Sequence, residues 1–351
     1  MVIHFSVAIL FAITVFLALA EERLKDTHKL IILAGYAMVM ILLATTKSVE
    51  NTADALNYEE MFLYNDDVLT ELATEPTYIY LSRLVLALGG GLPVVFFVYA
   101  LISSPVKLRA ISRITPYTFT ALLIYLPVYF ELQDMIQIRT GAAAAFLMTS
   151  LIPLSEGRRW RAALLMVCAF FFHYSSLVYF PFLLLGNRQL GLAGRIVVAA
   201  LLPVCFAMYF LKMDLFSLIP SSLVDGKLDF YKSSSEEGQW NEILTPTKNL
   251  YFLAKCSMLY FCLYFYDPIV KQQRMAPLLI NLFAMSIFFM LTMATVPVVG
   301  SRISDLYGII DCVVFTFLLY IISPAYVARS AIALLGLYML VYNMLFTEYF
   351  T

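Results

Sequence analysis

Four ionisable side chains stand in or beside long apolar runs of this 351-residue chain, where a charge is costly: Asp54, Arg139, His173 and Arg302. An arginine at the centre of a spanning helix costs about 2.5–3.5 kcal/mol on insertion scales, so such residues usually serve a purpose. A guanidinium offers phosphate a planar pair of donors, an imidazole binds phosphate or transfers a proton, and a carboxylate can act as a base. This chemistry favours a phosphate-bearing substrate.

Arg139 lies near the outer end of its apolar run, and Gln137 flanks it. Gly141 and the alanines at 142–145 follow, which are small enough to let a neighbouring helix approach closely. We therefore expect the guanidinium to lie inside the helix bundle as a phosphate clamp. The alternative is that Arg139 extends to the headgroups of the outer leaflet.

His173 follows three phenylalanines and precedes Tyr-Ser-Ser at 174–176. It could bind phosphate or serve as a general base, and the alternative is a hydrogen-bonded core histidine. The two serines are too close to it in sequence to suggest a hydrolase triad, and the sequence contains no GxSxG motif.

Arg302 is followed by Asp305 and Tyr307 within a turn and a half. The Arg–Asp spacing of i, i+3 fits a structural ion pair as well as a ligand site. Asp54 and Tyr58, spaced i, i+4, could share one face of a short helix, or they could belong to a solvated acidic loop.

These residues must be positioned by membrane helices. Apolar residues make up 62% of the chain and charged residues 13%, against about 45–50% and ~25% in soluble domains. We predict one all-α polytopic membrane domain over 1–351, with about 11–12 transmembrane helices that include a broken or re-entrant pair. The first run is taken as a retained helix, not a signal peptide. The apolar runs lie at about 3–20, 29–46, 77–104, 117–132, 134–153, 162–186, 195–213, 248–266, 276–296, 303–323 and 327–346.

Orientation follows from lysine and arginine, which concentrate in short cytoplasmic loops. The segments 47–76 and 214–247 then become extracytoplasmic loops that can hold amphipathic helices. Asp66 and Asp67 resemble a metal-binding pair, but we expect them to be solvated and predict no metal. The charges used as cytoplasmic markers are Arg23, Lys25, Lys29, Lys107, Arg109, Arg113, Arg158, Arg159, Arg161, Arg188, Arg195, Lys271, Arg274 and Arg329.

Two runs are predicted to be interrupted. The run 77–104 is one crossing broken at the glycines 89–91. The run 162–186 has arginines on both flanks, so it should enter the membrane and return, with its apex near 173–176. The alternative is a single plain span, which would invert the orientation of every helix that follows it. With the re-entrant topology, the four ionisable side chains named first converge from four segments on the outer half of the membrane.

In these residues the chain resembles the EpsG-like branch of the Wzy-type polysaccharide polymerases, over about 45–310. Each motif is short, but the ordered set is moderately specific. The chain departs from the pattern at Lys47, where the family often has arginine, and at 141–145, where the family has a bulkier run. The resemblance rests on Asp54 to Tyr58, Glu75-Pro76, Gln137-Ile-Arg139, Phe172-His173-Tyr-Ser-Ser, Pro181, and Arg302 to Tyr307.

The resemblance implies a GT-C-like, metal-independent glycosyltransferase of the bacterial inner membrane, with no cofactor. It would transfer a growing glycan from undecaprenyl diphosphate to the non-reducing end of a lipid-linked repeat unit at the periplasmic face. Arg139 and Arg302 would bind the diphosphate with help from His173, and Asp54 or Glu75 would activate the acceptor. The further substrate contacts would be Tyr58, Gln137, Asp305 and Tyr307.

The implied partners are undecaprenyl-diphosphate-linked repeat units, membrane lipid and a chain-length regulator protein, without nucleic acid. The product would be O-antigen, capsule or exopolysaccharide. One alternative is another lipid-linked glycan transferase, either a ligase or an enzyme that uses a polyprenyl-phosphate sugar. The other is a transporter of the lipid-linked oligosaccharide, although the two predicted breaks do not occupy corresponding halves of an inverted repeat.

Overall fold

The computed structural model describes residues 2–50, 52, 54–67, 74–213, 249–293 and 297–347. This described part is helical and contains no β-strand. Seven of its helices are long and apolar enough to cross a membrane, and a pair bent by 51° provides an eighth candidate. The predicted all-α polytopic fold is therefore confirmed. The predicted outer loop 214–247 lies outside the described residues.

Contacts divide the chain into two compact units, of which the first comprises Met1–Gly186 and Ile322–Thr351. The prediction of one domain over 1–351 stays a prediction. The helices of the first unit are α1 Val2–Ala20, a 3-10 helix Glu21–Arg23, α2 Asp26–Thr45, α3 Ala55–Leu63, α4 Pro76–Ala87, α5 Leu92–Ile114, α6 Thr118–Tyr125, a π-helix Leu126–Ile136 that continues α6, α7 Ile138–Ser155, α8 Arg159–Phe172, a 3-10 helix Tyr174–Tyr179, α9 Phe182–Leu185 and α16 Ala325–Phe346.

The broken crossing predicted at 89–91 is present as the gap between α4 and α5. Gly89 takes a positive φ of 74°, a conformation that glycine adopts without steric cost, and α4 ends there. Pro93 lies in the first turn of α5, where its missing N–H leaves no hydrogen bond unmade. Within the unit, α5 packs against α2 and α7, while α1 and α16 pack against α6.

A hairpin of α7 and α8 positions two of the predicted residues. α7 spans 18 residues, or about 27 Å, and the 14-residue α8 runs back along it for about 21 Å. Arg139 in the first turn of α7 and His173 after α8 therefore lie at the same end. His173 is extended, with φ −158° and ψ 115°, and this conformation ends α8. The helix breaks where we placed the apex, while entry and return on one side of the membrane stays a prediction.

Two charges used to predict the orientation are buried within helices, Lys107 on α5 and Arg329 on α16. We placed Lys107 in a cytoplasmic loop, and this is wrong, since Lys107 is fully buried inside α5. The buried carboxylate of Asp134 in the π-helix compensates its charge, with Nζ 3.0 Å from Oδ2. Arg109 and Arg113 lie in the last turns of the same helix and are exposed.

The second unit covers Asn187–Ile321. In it, α13 packs against α10, α11 and α14, and the bend of 51° lies between α14 and the helical segment that begins at Asp311. The predicted runs 248–266 and 276–296 form helices shorter than a full span. The helices are α10 Leu192–Phe210, α11 Leu250–Tyr264, α12 Tyr266–Gln272, α13 Ala276–Thr292, α14 Pro297–Gly308, α15 Asp311–Phe315 and a 3-10 helix Thr316–Tyr320.

Candidate active site

Three of the predicted residues meet in the first unit, although up to 98 positions separate them in sequence. The Glu75 carboxylate forms an ion pair with the Arg139 guanidinium through Oε2. Its other oxygen, Oε1, lies 2.8 Å from Nδ1 of His173 and accepts a longer hydrogen bond of 3.4 Å from the backbone N–H of Tyr174. One buried carboxylate therefore holds both the arginine and the histidine.

Local sequence explains how each side chain reaches this point. Glu75 is the N-cap position of α4, and Pro76 fixes the first helical residue after it. Thr77 donates a hydrogen bond of 2.9 Å to the carbonyl of Phe171, which ties the start of α4 to the end of α8. The site is thus built from the beginnings of α4 and α7 and the end of α8.

An aromatic layer lies beside the guanidinium. The Arg139 guanidinium carbon is 5.4 Å from the centre of the Tyr58 ring, within cation–π range. The Tyr58 ring centre lies 5.6 Å from that of Tyr78, and the Tyr78 hydroxyl donates to the Tyr58 carbonyl at 2.6 Å. This brings the predicted contact residue Tyr58, on α3, to Arg139.

Electrostatics keep Glu75 ionised. Burial by itself raises the pKa of the Glu75 carboxyl, but the hydrogen bond with His173 and the charge of Arg139 outweigh it and hold the pKa at about 2. A carboxylate of such low basicity takes up a proton poorly. Its environment therefore suits an anchor for the Arg139 and His173 side chains better than it suits a general base.

Several polar atoms around this cluster are buried without a hydrogen-bond partner among the described residues. Two of them belong to the cluster itself, Nε of Arg139 and Nε2 of His173. Two more such atoms, Oε1 of Gln137 and Oγ of Ser176, lie within three positions of Arg139 and His173 in sequence. Buried polar groups are normally satisfied, so the cluster offers water or a bound anion an unsatisfied Arg139 donor, with the other three polar atoms beside it.

The sequence model of the EpsG family matches residues 30–351. This match covers most of the chain. The chain belongs to the EpsG family. Comparisons with curated proteins and with solved structures gave no match. The resemblance seen in the ordered motifs is therefore confirmed at the level of the family.

Asp54 lies close to the cluster of this EpsG-family protein. It precedes α3 in a left-handed conformation with φ 61°, and its half-buried carboxylate interacts electrostatically with both Tyr58 and Lys47. Asn57 donates a long hydrogen bond of 3.5 Å to its Oδ1. Asp54 is thus a carboxylate beside Tyr58, and no described arginine or lysine lies within salt-bridge distance of it.

Lys47 is a residue whose position the sequence did not reveal. It is buried, donates to the Met135 carbonyl, and its Nζ lies 4.1 Å from the centre of the Phe96 ring. Burial lowers the pKa of Lys47 to about 7, against the opposing effect of the Asp54 carboxylate. The sequence did contain one signal for the burial of Lys47, because this residue directly follows the apolar run 29–46.

Arg302, Asp305 and Tyr307 lie on α14 in the second unit, so their joining with Arg139 stays a prediction. Asp305 interacts electrostatically with Arg302 and also with Lys255 and Asp311. The Tyr307 ring stacks on that of Phe289 at 5.5 Å between centres.

The ion pair of Lys255 with Asp311 was missed from the sequence. Nζ of Lys255 lies 2.8 Å from Oδ2 of Asp311, and both side chains are buried. The signal was present, because each charge interrupts an apolar run. Of the predicted solvated acids, Asp66 is exposed and lies 3.3 Å from Arg83.

Proposed function

We propose that this EpsG-family protein is a polysaccharide polymerase of the bacterial inner membrane. It transfers a growing glycan from undecaprenyl diphosphate to the non-reducing end of a lipid-linked repeat unit on the periplasmic side. The observation that carries the proposal is the buried Arg139–Glu75–His173 cluster, because its arginine and histidine each keep a nitrogen without a described partner. Such a cluster suits an anionic ligand.

The leaving group explains why an arginine is needed. In the transfer, the acceptor hydroxyl oxygen bonds to the anomeric carbon, and the bond from that carbon to the diphosphate oxygen breaks. The electron pair leaves with the diphosphate, and the hydroxyl proton passes to a base. Arg139 meets the developing charge with a preorganised guanidinium, assisted by His173 and, as the sequence predicts, by Arg302.

Asp54 is the proposed base. It is half-buried and does not form the contacts with Arg139 and His173 that depress the basicity of Glu75. Glu75 instead orients Arg139 and His173 through its two oxygens. Since Nδ1 of His173 faces Glu75, its Nε2 faces the ligand and donates to a phosphate oxygen when the ring is protonated. Gln137 and Tyr58 complete the contacts proposed for the lipid-linked substrate.

The test is polymer length in cells that lack the native copy, with protein levels measured. Arg139→Ala should lower the polymerisation rate about 10²–10³-fold and leave single repeat units, because a transition-state contact is lost. Arg139→Lys should rescue poorly, since a point charge cannot replace the planar fork. Arg161→Ala is the matched control, an exposed arginine on α8 that should leave the ladder intact.

An unchanged glycan ladder in Arg139→Ala cells would overturn the proposal. The alternative transferase is separated by supplying purified protein with one lipid-linked repeat unit and no other acceptor. A polymerase then produces a ladder of products, whereas a ligase or a single-sugar transferase does not.

A further inference from the structure

The span before Arg139 is unusual in its backbone and in its polar content. Its last eleven residues, Leu126–Ile136, form a π-helix, a wide helix that is rare and frequently found at functional sites. Three polar side chains on it are completely or almost completely buried, Glu131, Gln133 and Asp134. Buried ionisable groups in a membrane span are expensive, so this segment must be compensated by its neighbours.

Asp134 is compensated by a complete set of partners. Nζ of Lys107 lies 3.0 Å from Oδ2, which also accepts a hydrogen bond of 2.8 Å from the Tyr125 hydroxyl. Ser104 donates to Oδ1 at 3.3 Å, and Lys107 donates a second bond of 3.2 Å to Oε1 of Gln133. All five side chains are buried, and α5 supplies two of them.

Other elements bind the π-helix through its backbone carbonyls. Asn343 of α16 donates to the Pro127 carbonyl at 2.6 Å, near the beginning of the π-helix. Lys47 donates to the Met135 carbonyl near its end. The widened backbone is therefore held at both ends by side chains from different parts of the first unit.

The end of the π-helix leads directly to the candidate site. The N–H of Gln137 donates to the Leu132 carbonyl at 2.8 Å, the five-residue spacing of a π-helix, and α7 begins at the next residue. Gly141 packs so closely on this turn that an added Cβ would overlap the Gln133 carbonyl oxygen. A shift of Gln133 or Asp134 would therefore be transmitted to the first turn of α7, which carries Arg139.

Stability alone does not explain the ion pair. A buried pair loses its hydration, and replacing it with apolar side chains of similar size is often neutral or stabilising. We propose that Lys107 and Asp134 are positioning residues that fix the π-helix and thereby orient the Arg139 guanidinium toward the diphosphate. This inference rests on the proposed function, and its test separates the two.

The test measures the affinity of the purified full-length protein for undecaprenyl diphosphate in detergent. Arg139→Ala should weaken binding tenfold or more. The neutral double variant Lys107→Met/Asp134→Asn, which leaves no unpaired charge, should weaken it about fivefold. In the Arg139→Ala background the same double change should have no further effect, because it acts through that arginine. If the double change lowered the affinity by the same factor in the unmodified protein and in Arg139→Ala, the positioning role would be overturned.

Two further variants complete the design. Tyr125→Phe removes one hydrogen bond to Asp134 and keeps the ion pair, so it tests the inference if the double variant does not fold, with an expected two- to threefold loss of affinity. Glu21→Gln is the matched control, because Glu21 is a buried carboxylate that binds the backbone N–H of Phe119 at the other end of the same span. The affinity of the Glu21→Gln variant for undecaprenyl diphosphate should stay unchanged.

The outcomes are distinguishable. If Arg139→Ala binds undecaprenyl diphosphate as the unmodified protein does, the proposed function fails. If Arg139→Ala loses affinity while the double variant and Tyr125→Phe keep it, the proposed function stands and the positioning role of Lys107 and Asp134 is refuted.

Discussion

Glu75 carries one negative charge between the Arg139 guanidinium and the His173 ring, and this decides its chemistry. Its oxygens are divided between Arg139 and His173, so each oxygen has one of these side chains as its partner. The sequence motif Glu75-Pro76 suggested a possible base, whereas the contacts favour a carboxylate that aligns the other two groups. The low pKa of about 2 follows from these contacts and has a measurable consequence.

We expect Glu75 to contribute to the pH dependence of stability. Because its folded pKa lies below the ordinary value of 4.5, the contribution is present above pH 4.5 and is lost as the pH falls toward 2. Its size is on the order of 3 kcal/mol. Thermal unfolding in detergent from pH 6 to pH 3 should show a shallower pH slope for Glu75→Gln than for the unmodified protein.

The control for this measurement is Asp66→Asn, which changes an exposed carboxylate of the same acidic segment and should retain the original slope. Identical slopes for Glu75→Gln and the unmodified protein would show that the carboxylate is not stabilised by its two partners.

At the scale of elements, close packing of α7 determines where Arg139 lies. The small residues after Arg139 were predicted to let a neighbouring element approach, and α7 does pack against both α5 and α8. Gly141 lies close to the π-helix and to α5, because an added Cβ would overlap the Gln133 carbonyl oxygen and lie 3.2 Å from Oγ of Ser103. A backbone carbonyl cannot move aside as a flexible side chain can.

Gly141→Ala should therefore destabilise the protein by about 1–3 kcal/mol, the usual cost of overpacking, and should shorten the polymer by displacing α7. Gly35→Ala in α2 is the matched control. No described atom lies within 4 Å of a Cβ added there, so alanine should stabilise this helix by about 0.5–1 kcal/mol. If thermal unfolding showed that both variants shift the midpoint in the same direction, the packing argument would be contradicted.

At the scale of the whole molecule, the charge distribution predicts which side the site faces. Arg139 lies in the first turn of α7, and the exposed Arg158 follows the last residue of that helix, which is about 27 Å long. If the arginines after α7 are cytoplasmic, Arg139 lies on the outer side, together with the end of α8. The first unit then presents its cationic cluster to the face where lipid-linked repeats would be displayed.

This orientation can be measured by labelling single cysteines in cells with a membrane-impermeant maleimide. The background carries Cys168→Ser, since the other four cysteines are buried. Glu60→Cys on the exposed face of α3 should be labelled in intact cells, and Arg158→Cys only after permeabilisation. The reverse pattern would place the candidate site on the cytoplasmic side.

The sequence by itself determined the fold class and most members of the site. Apolar runs of about 20 residues have few structural alternatives in a membrane, and a charge within them is expensive enough to mark a position of interest. The glycines 89–91 and the residues around His173 also showed where helices end, because local backbone preferences act over a few residues.

The tertiary structure decided which of these residues are partners. Glu75 joins Arg139 and His173 across 64 and 98 positions, and such contacts depend on how helices pack, which no local pattern records. The same is true of Lys107, which the sequence predicts to be a loop charge, whereas the structure places it beside Asp134. The hydrogen bonds of the π-helix span five residues where those of an α-helix span four. This change is too small for the spacing of apolar residues to reveal, and yet it sets the position of Arg139.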